Sequence, residues 1–319
     1  MPNKKANLSS KISVIGSGAW GCSIADLISK NGFDVSLFVR NKLDHIISRN
    51  VAIYSNFDES VKKADFIFIV TPSSVVSGIL DNLKGKIEKK AIIVICSKGI
   101  ENKNGKLFGQ ILAEKLTNNY AILSGPNFAS EVAKEAPTVT TIASDKKAVA
   151  AAVCNLLNNN YFLAIPSDDV VTTSISGAVK NIIAIGCGII DGLKLGDNAK
   201  AALITKGVAE ISALSKKMGG KIENVLSPAG FGDLFLTCSS TKSRNYSLGF
   251  MIGSGKNAEK ILSNKNKTYE GANAAKSIIV LAKKYKLNLI LCSTIAKVLS
   301  SSLSKTEIKK IIQTSILTK

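Results

Sequence analysis

Three glycines near the start of the chain constrain its fold more than any other feature. Gly16, Gly18 and Gly21 form a G-x-G-x-x-G pattern that directly follows the apolar run 12–15 and precedes a segment with helical periodicity. In such a strand–turn–helix unit the first glycine permits a tight turn, the second lets the backbone approach a pyrophosphate, and the third lets the helix pack closely on the strand. The helix N-terminus then binds the anion. The pattern therefore predicts a dinucleotide-binding unit.

The first half of the chain alternates short strands with helical segments. The strands are β-branched or aromatic runs between turn residues, and most are apolar along their whole length, which is typical of strands buried on both faces. Strands that alternate with helices predict a doubly wound parallel sheet, here a Rossmann domain spanning residues 1–166. The predicted strands are 12–15, 35–39, 66–70, 92–96, 121–123, 139–143 and 161–165.

The second half of the chain has a helical character. Beyond Pro166 the sequence SDD (167–169) offers a helix N-cap, and helical periodicity dominates from there on. A length of 319 residues also suits about two domains. We therefore predict an α/β fold in which a C-terminal all-α domain, residues 167–319, follows the Rossmann domain. Its predicted helices are 170–195, 197–218, 276–285 and 305–316.

The end of the second predicted strand bears on which nicotinamide cofactor is used. An NAD site usually carries an acidic residue there, which binds the ribose 2′-hydroxyl. Here the strand ends in the sequence LFVRNK (37–42), which contains no acidic residue. Arg40 can pair with a 2′-phosphate instead, although a solvated loop residue is the alternative explanation. The sequence therefore favours NADPH and leaves NADH possible.

A single histidine, His45, restricts the chemistry that the chain can perform. With only one histidine we expect neither a histidine-based triad nor a histidine-rich metal cluster, and lactate- and malate-type dehydrogenases are poor candidates. We therefore expect any proton transfer to use Lys, Asp or Glu. The six cysteines, at positions 22, 96, 154, 187, 238 and 292, form no C-x-x-C pair, so we expect reduced core thiols and no metal site.

The chain is strongly basic, with 42 Lys and Arg against 23 Asp and Glu and a formal net charge of +19. The lysines are spread along the whole sequence, so we expect a solvated surface that favours phosphorylated substrates and no nucleic-acid partner. The most apolar stretch, 182–190, is too short to span a bilayer, and the N-terminal residues lack a signal-peptide core. We therefore expect a cytoplasmic protein without an integral membrane segment.

Lys180 is the candidate for moving a proton. It lies in the segment SGAVKNIIAI (176–185), where a lysine among small and apolar residues is unusual. Desolvation there would lower its pKa towards a useful range. Its neighbour Asn181 can orient a substrate. Taken alone, the segment favours a lysine whose ammonium group reaches the surface over a general base.

Several segments together carry a resemblance to a known family. They are GSGAWG (16–21), SKGIE (97–101), GPNFASE (125–131), GAVKNIIAIGCGIIDGLKLGDNAKAALITKG (177–207), AGFGDLFLTC (229–238), SRNYSLG (243–249) and YEG (269–271). In this order and spacing the chain resembles bacterial-type NAD(P)-dependent glycerol-3-phosphate dehydrogenase. The resemblance implies reversible reduction of dihydroxyacetone phosphate to sn-glycerol 3-phosphate with NADPH or NADH.

The resemblance also implies roles for residues that carry the chemistry. Lys180 corresponds to the family's general acid/base. Lys98 corresponds to a lysine that contacts the substrate, at its carbonyl oxygen or its phosphate. Asp233 and Thr237 correspond to polar groups near the reacting oxygen and the lysine, although Asp233 can also be read as a helix N-cap.

Binding roles follow in the same way. A phosphate cradle is implied at Ser243, Arg244 and Asn245, where the guanidinium suits phosphate geometry. Further substrate contacts are implied at Gly125, Asn127 and Asn181, besides Lys98, Lys180 and Asp233. The implied cofactor contacts are Gly16, Gly18, Ala19, Trp20, Gly21, Arg40, Lys98, Ala129, Arg244 and Glu270.

Two positions depart from the family pattern. Asn127 stands where many bacterial members carry Ser or Thr, although an amide can still hydrogen-bond a substrate. Tyr269 stands where the family typically has a Val before Glu-Gly, which puts an apolar contact with the cofactor in doubt.

The resemblance further implies a homodimer and a product that feeds glycerophospholipid synthesis. Three alternatives stay open. A β-hydroxyacid dehydrogenase of the 6-phosphogluconate type shares both kinds of domain and a helical lysine, but its substrates carry a carboxylate. A catalytically inactive regulator would bind NADPH without turnover. A nucleic-acid-binding surface would show steeply salt-dependent binding.

Overall fold

The computed structural model describes residues 10–41, 43, 45, 47–98, 100–101, 105–264 and 268–318. The chain divides into two units. The sheet unit comprises Met1–Ser97 and Phe108–Val170, and the helical unit comprises Lys98–Leu107 and Val171–Lys319. The segment Lys98–Leu107 therefore groups with the helical unit, although it lies within the first half of the sequence.

The sheet unit is built on eight strands. They are β1 (Lys11–Ile15), β2 (Asp34–Phe38), β3 (Val51–Tyr54), β4 (Phe66–Ile69), β5 (Ile92–Ile95), β6 (Tyr120–Ser124), β7 (Thr138–Ala143) and β8 (Phe162–Ser167). Its helices are α1 (Ala19–Lys30), α2 (Phe57–Val61), α3 (Val76–Leu83), α4 (Phe108–Lys115), α5 (Ala129–Val132) and α6 (Lys147–Leu157), with a 3₁₀ turn at Ser73–Val75.

The strands form one sheet in the order β3-β2-β1-β4-β5-β6-β7-β8. Strand β1 lies where this order reverses, because β2 and β4 pair in parallel with it from either side. In open α/β sheets, ligands bind outside the carboxyl ends of the strands at such a switch point. The glycine pattern that follows β1 is therefore at the position that a dinucleotide site requires.

The doubly wound sheet is confirmed, with three differences from the predicted strands. The predicted strands do not include β3, a four-residue edge strand of which only Val51 is buried. Strand β7 pairs antiparallel with β6, so β7 and β8 run against the other six strands, a direction that side-chain periodicity does not encode. Strand β8 continues through Pro166 to Ser167, which is possible because proline is tolerated on an edge strand.

The sheet buries both of its faces. In β4, Phe66 and Phe68 belong to one apolar cluster, while Ile67 and Ile69 belong to the other. Successive side chains of a strand point to opposite faces, so a strand that is covered on both sides must be apolar throughout. Residues of α1 and α6 cover the first face, and residues of α3 and α4 cover the second.

The helical unit confirms the predicted all-α character. Its helices are α7 (Val170–Gly192), α8 (Asp197–Lys217), α9 (Asp233–Ser239), α10 (Arg244–Gly253), α11 (Ala258–Leu262), α12 (Glu270–Tyr285), α13 (Ile290–Ser300) and α14 (Lys305–Leu317). A 3₁₀ helix at Ile222–Leu226 and a π-helical turn at Pro228–Gly232 precede α9.

Helix α7 forms the core of the helical unit. It spans 23 residues, longer than the apolar stretch 182–190, and in the described part of the chain it is the one helix whose length and composition would allow it to cross a bilayer. Its apolar window is wholly buried inside the fold. Burial among α8, α10, α12 and α13 accounts for an all-round apolar sequence.

Helices α7 and α10 approach each other closely because glycines line their contact. A Cβ atom on Gly188 would lie 2.0 Å from the carbonyl oxygen of Tyr246, and a Cβ atom on Gly249 would lie 1.9 Å from that of Ile185. Neither position can carry a larger side chain without moving backbone. The contact fixes the start of α10 directly on α7.

Replacement of Gly188 by alanine tests this packing. Because backbone atoms block the added methyl group, Gly188→Ala is expected to lower the free energy of unfolding by about 1–3 kcal/mol or more in urea titrations. Gly78→Ala is the matched control, since Gly78 lies in α3 with nothing within 4 Å of an added Cβ. The control should be neutral or stabilising by up to about 1 kcal/mol. Equal stabilities of the two variants would contradict the close contact.

Candidate active site

A buried carboxylate is the centre of a polar cluster in the helical unit. Asp233 begins α9 directly after the π-helical turn, and its side chain is 2% exposed. The ammonium group of Lys180, from the middle of α7, donates to Asp233 Oδ1 at 2.6 Å. The ammonium group of Lys98 donates to Oδ2 of the same carboxylate. One carboxylate therefore joins two lysines that lie far apart in the sequence.

Thr237 completes the cluster from the next turn of α9. Its hydroxyl donates to the main-chain oxygen of Asp233 at 2.6 Å, and it accepts from Lys180 Nζ at 3.0 Å. An ammonium group has three N–H bonds, and two of those of Lys180 are directed at Asp233 and Thr237. The third can donate to a substrate oxygen.

Burial and neighbouring charges set the ionisation of the cluster. Burial lowers the pKa of Lys180 to about 8, because the opposing attraction of Asp233 is only partial and the charge of Lys98 adds to the lowering. Burial also disfavours ionised Asp233, but the two ammonium groups outweigh it and hold the pKa of this carboxyl below its ordinary value. Lys180 can therefore exchange a proton near neutral pH while Asp233 stays ionised.

A chain of amide hydrogen bonds lies beside the cluster. Asn181 follows Lys180 in α7, and its Oδ1 accepts from Asn245 Nδ2 of α10 at 3.0 Å. Asn245 Oδ1 in turn accepts from the main-chain N–H of Gly271 at 3.0 Å. Both side chains are buried. The chain fixes the two amide groups relative to Lys180 and to the start of α12.

The predicted phosphate cradle lies at the N-terminus of α10. Ser243 is the N-cap of this helix, and its hydroxyl accepts from the main-chain N–H of Tyr246 at 3.2 Å. Arg244 is exposed at the first helical position, next to the buried Asn245. The exposed guanidinium of Arg244, the helix start capped by Ser243 and the ordered amide of Asn245 together suit the binding of an anion.

The glycine pattern has the geometry that a bound pyrophosphate requires. Gly16 has a φ of 120°, and a Cβ atom on Gly21 would lie 1.8 Å from the Gly16 carbonyl oxygen. Gly18, the N-cap of α1, has nothing within 4 Å of an added Cβ. The backbone conformation at Gly16 and the close contact at Gly21 therefore require glycine within the protein itself, whereas the space beside Gly18 is open to a ligand. Ala19 and Trp20 follow in the first turn of α1.

The predicted loop between substrate and cofactor is tied to the sheet and to α1. A Cβ atom on Gly125 would lie 2.7 Å from Thr140 Oγ1, and Asn127 Nδ2 donates to the same hydroxyl oxygen at 3.3 Å. The main-chain oxygen of Ala129 accepts from Ser23 Oγ at 3.1 Å. Asn127 therefore ties its loop to β7 in this structure.

Two further predicted cofactor contacts lie at the ends of elements. Arg40 is exposed two residues beyond β2, and it makes no ion pair with any described residue. Glu270 begins α12. Tyr269, the N-cap residue before it, is 7% exposed and belongs to the apolar core of the helical unit. The departure at Tyr269 is thus accommodated by core packing.

Several of the predicted site residues lie together in the structure. Lys98, Lys180, Asp233 and Thr237 form one cluster, and Asn181 and Asn245 are bonded to each other. The carboxylate of Asp233 bonds lysines and does not cap a helix, so the N-cap alternative is wrong. The six cysteines are all buried and form no disulfide bond, as expected for core thiols. Among the described residues, no group of three or more His, Cys, Asp or Glu side chains is arranged to hold a metal ion.

Sequence reasoning missed Ser23, which joins two predicted cofactor segments. Its hydroxyl lies 2.9 Å from the carbonyl oxygen of Ala19 and 3.1 Å from that of Ala129. A serine in the second turn of an amphipathic helix gives no signal of this kind, because the contact spans 106 residues. Only its position two residues after Gly21, on the helix that should bind the pyrophosphate, pointed to it.

Comparison with known proteins matches both units of the chain. A sequence model described as NAD-dependent glycerol-3-phosphate dehydrogenase N-terminus matches residues 11–48 and 42–150, and the corresponding C-terminus model matches residues 169–310. The chain is 34% identical over 310 residues to the glycerol-3-phosphate dehydrogenase (NAD(P)+) of Parvibaculum lavamentivorans, which covers 92% of each chain. It is 36% identical over 307 residues to the enzyme of the same name from Clostridium perfringens, covering 91% of this chain and 93% of the relative.

A solved structure is similar over the whole chain. The glycerol-3-phosphate dehydrogenase of Coxiella burnetii superposes with a TM-score of 0.91 at 29% identity, covering 98% of this chain and 100% of that one. Similarity of this extent includes both the sheet unit and the helical unit.

Replacement of Asp233 tests the charge balance of the cluster. Asp233→Asn leaves the buried ammonium group of Lys180 without its counter-charge, and loss of one partner of a buried ion pair costs about 3–5 kcal/mol of stability. Urea unfolding should show a loss of this size. Asp197→Asn is the matched control, because Asp197 also begins a helix but its side chain is 98% exposed, so its stability should change little. A small effect at both positions would mean that Asp233 does not balance the lysines.

Proposed function

Because this chain belongs to the NAD-dependent glycerol-3-phosphate dehydrogenase family, we propose that its Lys180–Asp233–Lys98 cluster moves the proton of the family's reaction. The chain is an oxidoreductase that reduces dihydroxyacetone phosphate to sn-glycerol 3-phosphate with NAD(P)H, reversibly. When bound, the nicotinamide donates a hydride to the ketone carbon or accepts one from the alcohol. The protein must hold the phosphate, orient the oxygen and move one proton.

Lys180 is proposed as the general acid in reduction and the general base in oxidation. The observation that carries this role is its buried ammonium group, which has two N–H bonds held by Asp233 and Thr237 and a pKa of about 8. In reduction the third N–H donates its proton to the ketone oxygen as the hydride arrives at carbon. In oxidation the neutral amine accepts the hydroxyl proton.

Asp233, Lys98 and Asn181 are proposed to support this transfer. Asp233 orients Lys180 and stabilises its charged form, since its carboxylate is shared between the two lysines. Lys98 places a second positive charge beside the site, which stabilises the negative charge that develops on the substrate oxygen. Asn181, fixed by its bond from Asn245, can donate its amide N–H to the same oxygen.

Arg244, Asn245 and Ser243 are proposed to bind the substrate phosphate. The exposed guanidinium of Arg244 offers paired N–H donors to phosphate oxygens, and the helix start adds its dipole. The phosphate is remote from the reacting carbon. Its binding energy can therefore orient the carbonyl beside Lys180 rather than merely tighten binding.

The glycine pattern and its surroundings fit NADPH, with NADH also possible. The space beside Gly18 and the N-terminus of α1 suit the pyrophosphate, and Arg40 beyond β2 suits a 2′-phosphate. Trp20, Ala129 and Glu270, each in the first turn of a helix, are kept as proposed cofactor contacts, and Gly125 is kept as a proposed substrate contact. Residues 1–166 are proposed as the cofactor domain and residues 167–319 as the substrate domain.

Three properties are proposed from family membership. The enzyme is expected to act as a homodimer, to work in the cytoplasm, and to supply sn-glycerol 3-phosphate for glycerophospholipid synthesis. Size-exclusion chromatography with light scattering measures the first directly.

Removal of the Lys180 ammonium group tests the proposed proton transfer. Lys180→Ala should lose most turnover, by at least about 100-fold, yet bind NADPH as the wild type does. The assay is loss of absorbance from NADPH with dihydroxyacetone phosphate, with unphosphorylated dihydroxyacetone to show whether the phosphate is required. Lys216→Ala, at an exposed position late in α8, is the matched control and should be fully active. Wild-type turnover in Lys180→Ala would remove Lys180 from the mechanism.

Arg40 tests the cofactor preference. Arg40→Ala should raise the KM for NADPH about tenfold, because a charge-assisted hydrogen bond to phosphate is lost, and leave the KM for NADH unchanged. Arg49→Ala removes an exposed arginine from the same unit and should change neither value. If Arg40→Ala weakens both cofactors equally, Arg40 does not bind the 2′-phosphate.

A further inference from the structure

A second polar cluster lies outside the Lys180 site. It joins three helices of the helical unit through Asp191 of α7, Lys200 of α8 and Tyr246 of α10. The Tyr246 hydroxyl donates to Asp191 Oδ2, and Lys200 Nζ lies 2.8 Å from the same oxygen. Lys200 also lies 3.4 Å from Asp197 Oδ1. None of these side chains has a role in the proton transfer described above.

The position of Tyr246 connects this cluster with the phosphate-binding residues. Tyr246 directly follows Asn245, and its main-chain N–H donates to the hydroxyl of Ser243 at 3.2 Å. Its carbonyl oxygen lies where a Cβ atom on Gly188 would be only 2.0 Å away. Tyr246 is thus held at its N–H, its carbonyl and its hydroxyl, and two of these three contacts are with α7.

Two separate bonds therefore tie the start of α10 to α7. Asn245 bonds Asn181, and Tyr246 bonds Asp191. Ten residues of helix separate Asn181 from Asp191, which corresponds to about 15 Å along the α7 axis. The glycine contact holds the two helix backbones together, and two bonds at this separation add fixed points for the side chains at the start of α10. Arg244 lies in the segment that they fix.

The charges of Asp191 and Lys200 favour a persistent hydrogen bond from the Tyr246 hydroxyl. The Asp191 and Lys200 side chains are 21% and 22% exposed, so water screens their attraction only partly. Burial and the bond to Asp191 raise the pKa of Tyr246 to about 12, so its hydroxyl stays a donor at physiological pH. Burial opposes the charge of Lys200, but Asp191 outweighs it and raises the pKa of this ammonium group.

We infer that Asp191 and Lys200 hold the Tyr246 hydroxyl so that Arg244 and Asn245 meet the substrate phosphate in a fixed position. Tyr246 is a positioning residue, since it acts through its neighbours and does not touch the substrate. The inference rests on the proposed phosphate site at the start of α10. It adds three residues, on three helices, that determine how well that site binds a phosphorylated substrate.

Kinetics of Tyr246→Phe with two substrates test this role. The variant removes one charge-assisted hydrogen bond, so kcat/KM for dihydroxyacetone phosphate should fall about tenfold, mainly through a higher KM. For unphosphorylated dihydroxyacetone, kcat/KM should stay within about twofold, because no phosphate has to be positioned. A cluster that serves stability alone would change both substrates equally or neither, and either result overturns the inference.

Tyr285→Phe is the matched control. Tyr285 ends α12, and no hydrogen bond of its hydroxyl is found within the described ranges. The ring contact with Lys284 survives the change. This variant should keep wild-type kinetics with both substrates. If it shows the same loss as Tyr246→Phe, the effect does not come from the bond to Asp191.

Asp191→Asn keeps the test decisive if Tyr246→Phe folds poorly. Its amide oxygen can still accept a hydrogen bond from Tyr246, but it no longer attracts Lys200. We therefore expect a smaller loss of kcat/KM, again confined to dihydroxyacetone phosphate. In the Tyr246→Phe/Asp191→Asn double variant the loss should equal that of Tyr246→Phe, and additive losses would contradict a shared role. A wild type that reduces neither substrate would contradict the proposed function itself. An active wild type with an unaffected Tyr246→Phe overturns only this inference.

Discussion

The arrangement of the helical unit depends on one buried carboxylate, Asp233, which is shared by two ammonium groups. The ammonium groups of the buried Lys180 and the partly exposed Lys98 repel each other, and the carboxylate of Asp233 offsets this repulsion. The arrangement needs three separate pieces of chain: the middle of α7 for Lys180, the π-helical turn that delivers Asp233, and the segment Lys98–Leu107. That short segment also contributes Ile100 and Leu107 to the apolar core of the helical unit, which holds Lys98 in the same unit as Asp233.

Close packing gives the cluster its rigidity. Glycines bring α10 onto α7, and Gly271 brings the start of α12 within hydrogen-bonding distance of Asn245. The amide chain reaches α7 at Asn181 and the Asp191–Lys200–Tyr246 cluster reaches it at Asp191, so both join α10 to α7. An ammonium group with a lowered pKa is useful only if its third N–H points in one direction, and rigid neighbours provide that direction. The same helix, α7, is therefore both the apolar core and the support of the chemistry.

The sequence predicts the parts of this structure that local pattern determines. The glycine pattern and the apolar runs predicted seven of the eight strands, and the unusual setting of Lys180 pointed to a proton carrier. Strand β3 was missed because a run of four apolar residues is too short to be assigned to a strand by periodicity. The reversed direction of β7 and β8 was missed because the sequence pattern does not reveal strand direction. Asp233 was reached only through family resemblance, and Tyr246 not at all, since partners 53 and 55 residues away leave no local trace.

The pH dependence of the initial rates tests the central claim, that a buried lysine balanced by one aspartate carries the proton. In the wild type, reduction of dihydroxyacetone phosphate should fall and oxidation of sn-glycerol 3-phosphate should rise with pH, with a common midpoint near 8 set by Lys180. In Asp233→Asn the midpoint should move to lower pH, because the negative charge that favours the ammonium form is gone. Rates in the two directions that change in parallel with pH, or a midpoint unmoved by the loss of Asp233, would contradict the account.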